Sequence, residues 1–288
     1  MKLSCIVTTY RNPAALRLCL HALAADLRGA EAELIIGDDG DPDHASRGPA
    51  REAASWGRFA RVRRLWQERD GYGKCRLANK AAAAARGTLL FFLDGDCLVS
   101  PGTVAAHVKL SGPRRYVAGS ALRLGPRASA ALTIDSVRIF RHASPVWIAR
   151  QALRGEVEAK AHYPWLRLAA PLFRRTGSGG FNGGCSSLPR ALLEEVNGWD
   201  EAQAGYGFDD TDLGHRLQNA GAEPVAARVE AFVVHLWHER PWRGDGLALE
   251  RKRAAVAATL HGTHRRASRG LAEMGSHDAG AWEEPAAT

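Results

Sequence analysis

At 288 residues, 45% of them hydrophobic and 24% charged, the chain is long enough to bury a large core, and wholesale disorder is excluded. A formal net charge of +8 predicts attraction to anions: nucleic acid, an acidic lipid surface or a phosphorylated small molecule. The five cysteines (Cys5, Cys19, Cys75, Cys97, Cys185) are odd in number and contain no Cys-x-x-Cys pair, which argues against a disulfide framework or structural zinc site and fits a reducing compartment.

The first hundred residues alternate strand and helix signals. Leu3 to Val7 is a short β-rich run that meets a turn at Asn12-Pro13, and Ala14 to Leu27 carries leucines at helical spacing. Glu33 to Ile36 reads as a second strand ending on Asp38-Asp39-Gly40, and Val62 to Trp66 as a third before the glycines Gly71 and Gly73. An Ala-rich helix follows from about Arg76 to Ala85, closed by Gly87. Thr88 to Leu93 is a continuous apolar run, the signature of a strand buried on both faces, and it ends abruptly at Asp94-Gly95-Asp96. This alternation predicts an α/β fold around a mixed, mostly parallel sheet. Ligands of such sheets lie beyond the carboxyl ends of the strands, where Thr8 to Arg11, Asp38 to Gly40 and Asp94 to Asp96 all fall.

From about Arg114 to Arg175 the chain is Arg-rich with interleaved aromatics, then passes through a glycine loop, Gly177 to Gly184. A helix from Pro189 to Val196 leads to Asn197-Gly198-Trp199-Asp200 and an acidic cluster at Asp209, Asp210 and Asp212. A basic Ala-rich helix starts near Ala248, and the stretch from Gly275 is expected to fray. No apolar run approaches the roughly 20 residues of a membrane helix, and the N-terminus reaches Arg11 too soon for a signal-peptide core. A cytoplasmic protein is expected, with peripheral contact on the inner face of a membrane left open.

Asp94-Gly95-Asp96 is the sharpest chemical signal. Two carboxylates at a strand end suit a hard divalent cation, Mn²⁺ or Mg²⁺, and the glycine between them admits a diphosphate. An isolated Asp-Gly-Asp is more often a plain turn, but a buried strand delivering two acids to a sheet edge calls for a compensating charge. His235 follows Phe232-Val233-Val234 at another strand end, with His238 beyond it as a diphosphate contact or a support. A lone histidine is usually a satisfied core or surface residue; beside two acids it becomes a candidate ligand.

Val7-Thr8-Thr9-Tyr10-Arg11-Asn12, Ile35-Ile36-Gly37-Asp38-Asp39-Gly40 and Phe91-Phe92-Leu93-Asp94-Gly95-Asp96, in that order, resemble the family-2 glycosyltransferases of the GT-A (Rossmann-like) fold. Gly183-Gly184-Cys185-Ser186-Ser187, Asn197 to Glu201 and Gly205 to Asp212 resemble the acceptor-side region of galactosyltransferases and chondroitin-polymerase-type enzymes. Leu65 to Tyr72, Asn79-Lys80-Ala81 and Val234 to His238 are similar to a bacterial subgroup tied to surface polysaccharides.

The resemblance implies a UDP-sugar donor, with Thr8 and Tyr10 walling the nucleoside pocket, Arg11 meeting the phosphates and Asp39 accepting the uracil N–H. Gly71, Asn79 and Lys80 shape that pocket, with Arg76 or Lys80 as the cation facing the diphosphate. Asp94 and Gly95 border the ribose or metal, and Asp96 and His235 ligate the metal with Asp94. Asp210 is the base of an inverting transfer, because retaining relatives carry Asn there, and Asp209 binds acceptor hydroxyls. Gly183, Gly184, Trp199 and Tyr206 form the acceptor side. Residues 1–112 are expected to form the nucleotide-sugar half, 113–245 the acceptor half and 246–288 a C-terminal helix and tail. The acceptor is a glycan, a lipid-linked precursor or a small molecule, and no nucleic-acid partner is expected. Two rivals stand beside this reading. One is a nucleotidyltransferase or nucleotide-sugar hydrolase using the same metal. The other is a basic nucleic-acid- or membrane-binding module, which leaves Asp94, Asp96, Asp209 and Asp210 unexplained.

Overall fold

A computed structural model describes residues 3–27, 29–177, 180–203, 205–239, 246–257, 259–260, 262–274 and 281–285. The N-terminal half alternates β1 (Leu3–Thr9), α1 (Pro13–Asp26), β2 (Ala32–Asp38), α2 (Arg47–Ser55), β3 (Arg61–Trp66), α3 (Lys74–Ala84) and β4 (Leu89–Asp94). Then come β5 (Cys97–Val99), α4 (Thr103–Leu110), β6 (Arg115–Ala118) and β7 (Ser120–Arg123). The Arg-rich stretch forms short helices α5 (Pro126–Ala130), α6 (Ile134–Arg138), α7 (Pro145–Leu153) and α8 (Tyr163–Leu166), with 3₁₀ turns at Arg141–Ala143 and Arg167–Phe173. The rest is β8 (Arg175–Thr176), β9 (Cys185–Pro189), α9 (Arg190–Glu195), α10 (Asp209–Asn219), β10 (Glu223–Ala226), β11 (Phe232–His235), α11 (Gly246–Ala257) and β12 (Ala281–Glu283).

Among the described residues the main sheet has nine strands in the order β12-β3-β2-β1-β4-β9-β6-β10-β8, and β5-β11-β7 form a second sheet. The run β3-β2-β1-β4 is parallel, whereas β9 lies antiparallel between β4 and β6. Parallel central strands are covered on both faces, which accounts for their continuous apolar sequences. Alternate residues feed two cores. Cys5, Val7, Leu34, Ile36, Phe91 and Leu93 pack toward α1, while Ile6, Ile35, Leu90 and Phe92 pack toward α3, α9 and α10. Helix α1 begins where the sequence says it must: Asn12 Oδ1 accepts the Ala15 N–H at 3.1 Å, and Pro13 occupies the first turn.

The tail differs from expectation. Residues 281–285 do not fray: β12 pairs antiparallel with β3, Glu283 meets Arg64 at 3.1 Å, and the Arg63 guanidinium sits 3.8 Å from the Trp282 ring centre. Three residues carry no periodicity to read, and their partners lie more than two hundred positions away. Residues 275–280 and 286–288 lie outside the described residues.

Candidate active site

Parallel pairing sets Thr8 opposite both Gly37 and Asp94, and Thr9 opposite Asp38, so the polar ends of β1, β2 and β4 share one edge. They border a cavity of about 570 Å³ whose walls include Thr8, Tyr10, Arg11, Asp39, Lys74, Asp94, Gly95, Asp96, Tyr206, His235 and His238.

The Asp38-Asp39 pair divides its labour. Asp38 is fully buried and structural, accepting from Arg64 at 3.0 Å, from the Asp41 N–H at 3.0 Å and from the Ser46 hydroxyl. Asp39 faces the cavity, with Gln67 Nε2 at 2.7 Å and the Gly73 N–H at 3.2 Å on its oxygens. Burial pushes its carboxyl above the ordinary value, against those two hydrogen bonds and the Arg69 charge. Arg69 in turn stacks 3.8 Å from the Tyr10 ring centre, completing that wall.

The two acids after β4 also separate. Asp94 accepts from Lys74 Nζ at 2.7 Å and from the Thr8 hydroxyl at 3.2 Å. Burial alone would raise its carboxyl, but the Lys74 ammonium more than offsets this and holds Asp94 below the usual carboxylate range. Asp96 instead faces two imidazoles, His235 Nε2 at 3.7 Å and His238 Nε2 at 3.3 Å. Ligand atoms of Asp96, His235 and His238 all lie within 4.8 Å of one another. Strand β11 carries His235 to this point, tied there by the Leu236 N–H on the Asp96 carbonyl at 2.9 Å.

The donor set fits a divalent cation. His235 Nδ1 lies 2.7 Å from the Leu236 carbonyl and His238 Nδ1 2.8 Å from that of Glu239. A carbonyl only accepts, so each Nδ1 donates to its carbonyl and each ring turns its Nε2 toward the Asp96 carboxylate. A divalent cation placed among these three groups would be held by all of them, and a backbone carbonyl fixing the far ring nitrogen is the usual support of a histidine ligand. Cys97 is near Asp94 and Asp96, but burial followed by their charges raises its thiol and keeps it from serving as a thiolate.

Asp210 lies in the first turn of α10, which holds Asp209, Asp210 and Asp212 at the positive end of the helix dipole. Its Oδ1 accepts the Trp199 indole N–H at 3.2 Å, and the Gly183 backbone adds a further hydrogen bond. The carboxyl is pushed up to about 6 by burial and by the Asp209 charge, against the opposing charge of Lys74. Gly183 and Gly184 lie between the two carboxylates: a Cβ on the first would sit 2.6 Å from Asp210 Oδ1, and on the second 2.9 Å from Asp94 Oδ2. Only glycines let both acids approach this loop, of which Ser178 and Gly179 lie outside the described residues.

Several expected residues stand elsewhere. Asn79 is fully buried and bridges to the Trp199 backbone, donating to its carbonyl at 3.0 Å and accepting its N–H at 2.9 Å. Lys80 is buried on α3, and Arg76 donates to Gln67 and the Glu68 carbonyl; neither lines the cavity. From α3 it is Lys74, in the helix's first turn, that reaches the wall, alongside Arg11, Arg69 and Arg123. Gly71 is also off the wall, which its neighbour Tyr72 supplies by meeting Tyr206 edge-on at 5.5 Å. Trp199 is 2% exposed, packed edge-on against Phe92 and Phe181, so it holds Asp210 rather than offering a sugar platform. Asp209 accepts from Cys75 Sγ at 3.7 Å, and neither it nor Asp210 is among the residues that line this cavity; Asp210 reaches it across Gly183 and Gly184 beside Asp94. Lys74 had one readable signal, its place just after Gly71-Tyr72-Gly73, and His238 had its spacing from His235.

Known proteins resemble the chain in both sequence and fold. Residues 4–123 match the model of glycosyl transferase family 2, and residues 167–239 match that of the N-terminal domain of galactosyltransferase. Validoxylamine A glucosyltransferase of Streptomyces hygroscopicus subsp. jinggangensis is 28% identical over 255 residues, 83% of this chain and 56% of that protein. Chondroitin synthase of Escherichia coli is 26% identical over 238 residues, 76% of this chain and 32% of that one. The chain thus spans about half or less of the length of these curated relatives. The crystal structure of GalNAc-T7 with UDP, GalNAc and Mn²⁺ shares the fold, with a TM-score of 0.56 at 15% identity over 90% of this chain and 48% of that one. Motif order, sheet topology and both matched segments converge on a glycosyltransferase of the GT-A fold, similar to family 2 over residues 4–123 and to the N-terminal domain of galactosyltransferase over residues 167–239.

Proposed function

We propose that this glycosyltransferase moves a hexose-type sugar from a UDP-sugar to an acceptor hydroxyl with inversion, assisted by Mn²⁺ or Mg²⁺. The observation that carries the proposal is the Asp96–His235–His238 cluster, its ligand atoms within 4.8 Å, set in the same cavity wall as Asp39, Lys74 and Asp94. Thr8, Tyr10 and Asp39 are the groups to seat the nucleoside, and Arg11 and Lys74 the cations nearest the diphosphate. A bound divalent ion supplies neutralisation of the charge that grows on the departing diphosphate. Asp210 takes the acceptor proton while the acceptor oxygen bonds to the anomeric carbon and the sugar–phosphate bond breaks, releasing UDP. A carboxyl pushed up to about 6 is a stronger base than an ordinary carboxylate and is still ionised at neutral pH.

The acceptor in this proposal is polyhydroxylated: a glycan in bacterial surface polysaccharide synthesis, a lipid-linked precursor or a small molecule. The curated relatives are named for a small molecule, validoxylamine A, and for a polymer, chondroitin. The test is incubation with a panel of UDP-sugars and acceptors, with Mn²⁺ added and then chelated. A glycoside of inverted anomeric configuration, formed only with metal, is the expected product. Free sugar in place of a glycoside assigns a hydrolase, released pyrophosphate a nucleotidyltransferase, and turnover unchanged by chelation removes the metal from the proposal.

A further inference from the structure

The basic stretch that sugar transfer leaves unused gathers on one face. Arg127 of α5, Arg141, Arg150 of α7 and Arg154 just past the end of α7 line a second cavity, of about 620 Å³. Glu156 is the carboxylate in its wall, and it is engaged: its Oε2 accepts the Ala128 backbone N–H at 2.9 Å. Among the described residues no carboxylate lies within ion-pair distance of these four guanidinium groups. Elsewhere in the basic stretch, Arg114, Arg115 and Arg174 pair with Glu195, Glu223 and Glu230 at 2.5, 2.5 and 2.7 Å. Four converging guanidinium groups repel one another until an anion joins them, and their planar donors match phosphate oxygens.

Apolar side chains stand beside them. Val146, Arg150 and Leu153 recur at helical spacing on one side of α7, and Val146 and Leu153 are 60% and 90% exposed. Ile139, Trp165, Leu172 and Phe173 are exposed in the same segment. Large exposed apolar groups among arginines are the composition of a helix lying in a membrane interface, with guanidinium groups at phosphate level and aliphatic groups below it.

We infer that this face docks on an anionic lipid bilayer, with phospholipid phosphates in the four-arginine cavity and Val146 and Leu153 of α7 in the acyl boundary. Charge complementarity selects this occupant: the cavity asks for several phosphates, and the adjoining apolar side chains ask for hydrocarbon. Helix α5 links the face to the cation site, because Ser129 Oγ accepts the Trp237 N–H at 2.8 Å, between His235 and His238. A bilayer seated there lies one short helix from the transfer cavity. The docking concerns residues outside the catalytic reading, so either can fail alone.

Sedimentation of the full chain with vesicles tests it. Phosphatidylglycerol mixed into phosphatidylcholine should carry the chain down, and phosphatidylcholine alone should not; added salt should weaken the binding. The double variant Arg150→Glu/Arg154→Glu should bind the anionic vesicles roughly tenfold or more weakly, each lost surface cation being felt within a Debye length. Val146→Asp/Leu153→Asp should also reduce binding, with the melting temperature of both variants near wild type to show that they fold. Equal binding by wild type and the charge-reversed variant, or none by the wild type, overturns the inference. So does calorimetric binding of inorganic pyrophosphate, lost in Arg150→Glu/Arg154→Glu, without any vesicle binding: that result assigns the cavity to a soluble anion.

Discussion

The carboxyl edge of the sheet and the face formed by α5 to α7 both concentrate charge, and they resolve it in opposite ways. At the edge each acid has a partner within the fold: Asp94 has Lys74 and Thr8, Asp39 has Gln67 and the Gly73 N–H, and Asp96 has two imidazoles. On the helical face Arg127, Arg141, Arg150 and Arg154 share a cavity with one engaged carboxylate. Internal compensation goes with chemistry, since it fixes protonation and position before a substrate arrives. Charge left without a counter-charge goes with recognition of something outside the chain.

The contrast breaks first at Asp210. Asp210→Asn should cut kcat by about 10² to 10⁴-fold while UDP affinity stays near wild type, measured by steady-state kinetics and calorimetry. A normal kcat would remove Asp210 as the base. Next is the cation cluster: His235→Ala/His238→Ala should weaken Mn²⁺ binding by about 10²-fold or more, beyond the usual loss on removing a supporting partner. Calorimetric titration with Mn²⁺ checks it, and unchanged affinity would place the ion elsewhere.

A subtler probe is Trp199→Phe, which keeps the ring among Phe92 and Phe181 but deletes the hydrogen bond to Asp210. In the proposed transfer Asp210 works as a carboxylate, so the wild-type rate should rise with pH through about 6 and fall below it. Losing a donor to the charged form raises the carboxyl further, so the acidic limb should move up by about one unit. A limb that stays in place would show that the indole does not tune the base.

Stability gives a smaller effect. Burial lowers His107 from 6.5 to about 3, and burial, against a hydrogen bond to Val99, lowers His142 from 6.5 to about 4. The unfolded chain takes up these protons first, so their contribution is fully present above pH 6.5 and is lost as pH falls toward 4 and 3. Melting temperature should decline across that window, and less steeply in His107→Gln. The smallest expected change is on the helical face: Arg150→Glu/Arg154→Glu should leave stability within about 0.5 kcal/mol per site, as for surface groups generally. A marked loss would mean that those arginines serve the fold after all.

Much of the edge was legible because it depends on local signals that topology then brings together. A continuous apolar run forced Leu89 to Leu93 into the sheet interior, and Asp94 and Asp96 had to emerge at its end. The same logic located His235 after Phe232-Val233-Val234. What stayed hidden depends on distant partners. Nothing near Asn79 announces that its amide spans to Trp199, and nothing near Trp199 tells a sugar platform from a core indole. Lys74 gains its meaning from Asp94, twenty positions on, and β12 from Arg63 and Arg64. Short helices α5 to α8 carry too few turns for periodicity to define them, so the Arg-rich stretch read as composition only.

The position of β9 has a practical consequence for anyone who wishes to re-engineer specificity. It belongs to the later matched segment, yet it is zipped antiparallel between β4 and β6 of the earlier one. The two matched segments are therefore not cassettes. A chimera that imports a foreign later segment must reproduce the Leu93–Cys185 and Leu89–Pro189 register, or it will misplace Gly184 and with it the loop beside both carboxylates.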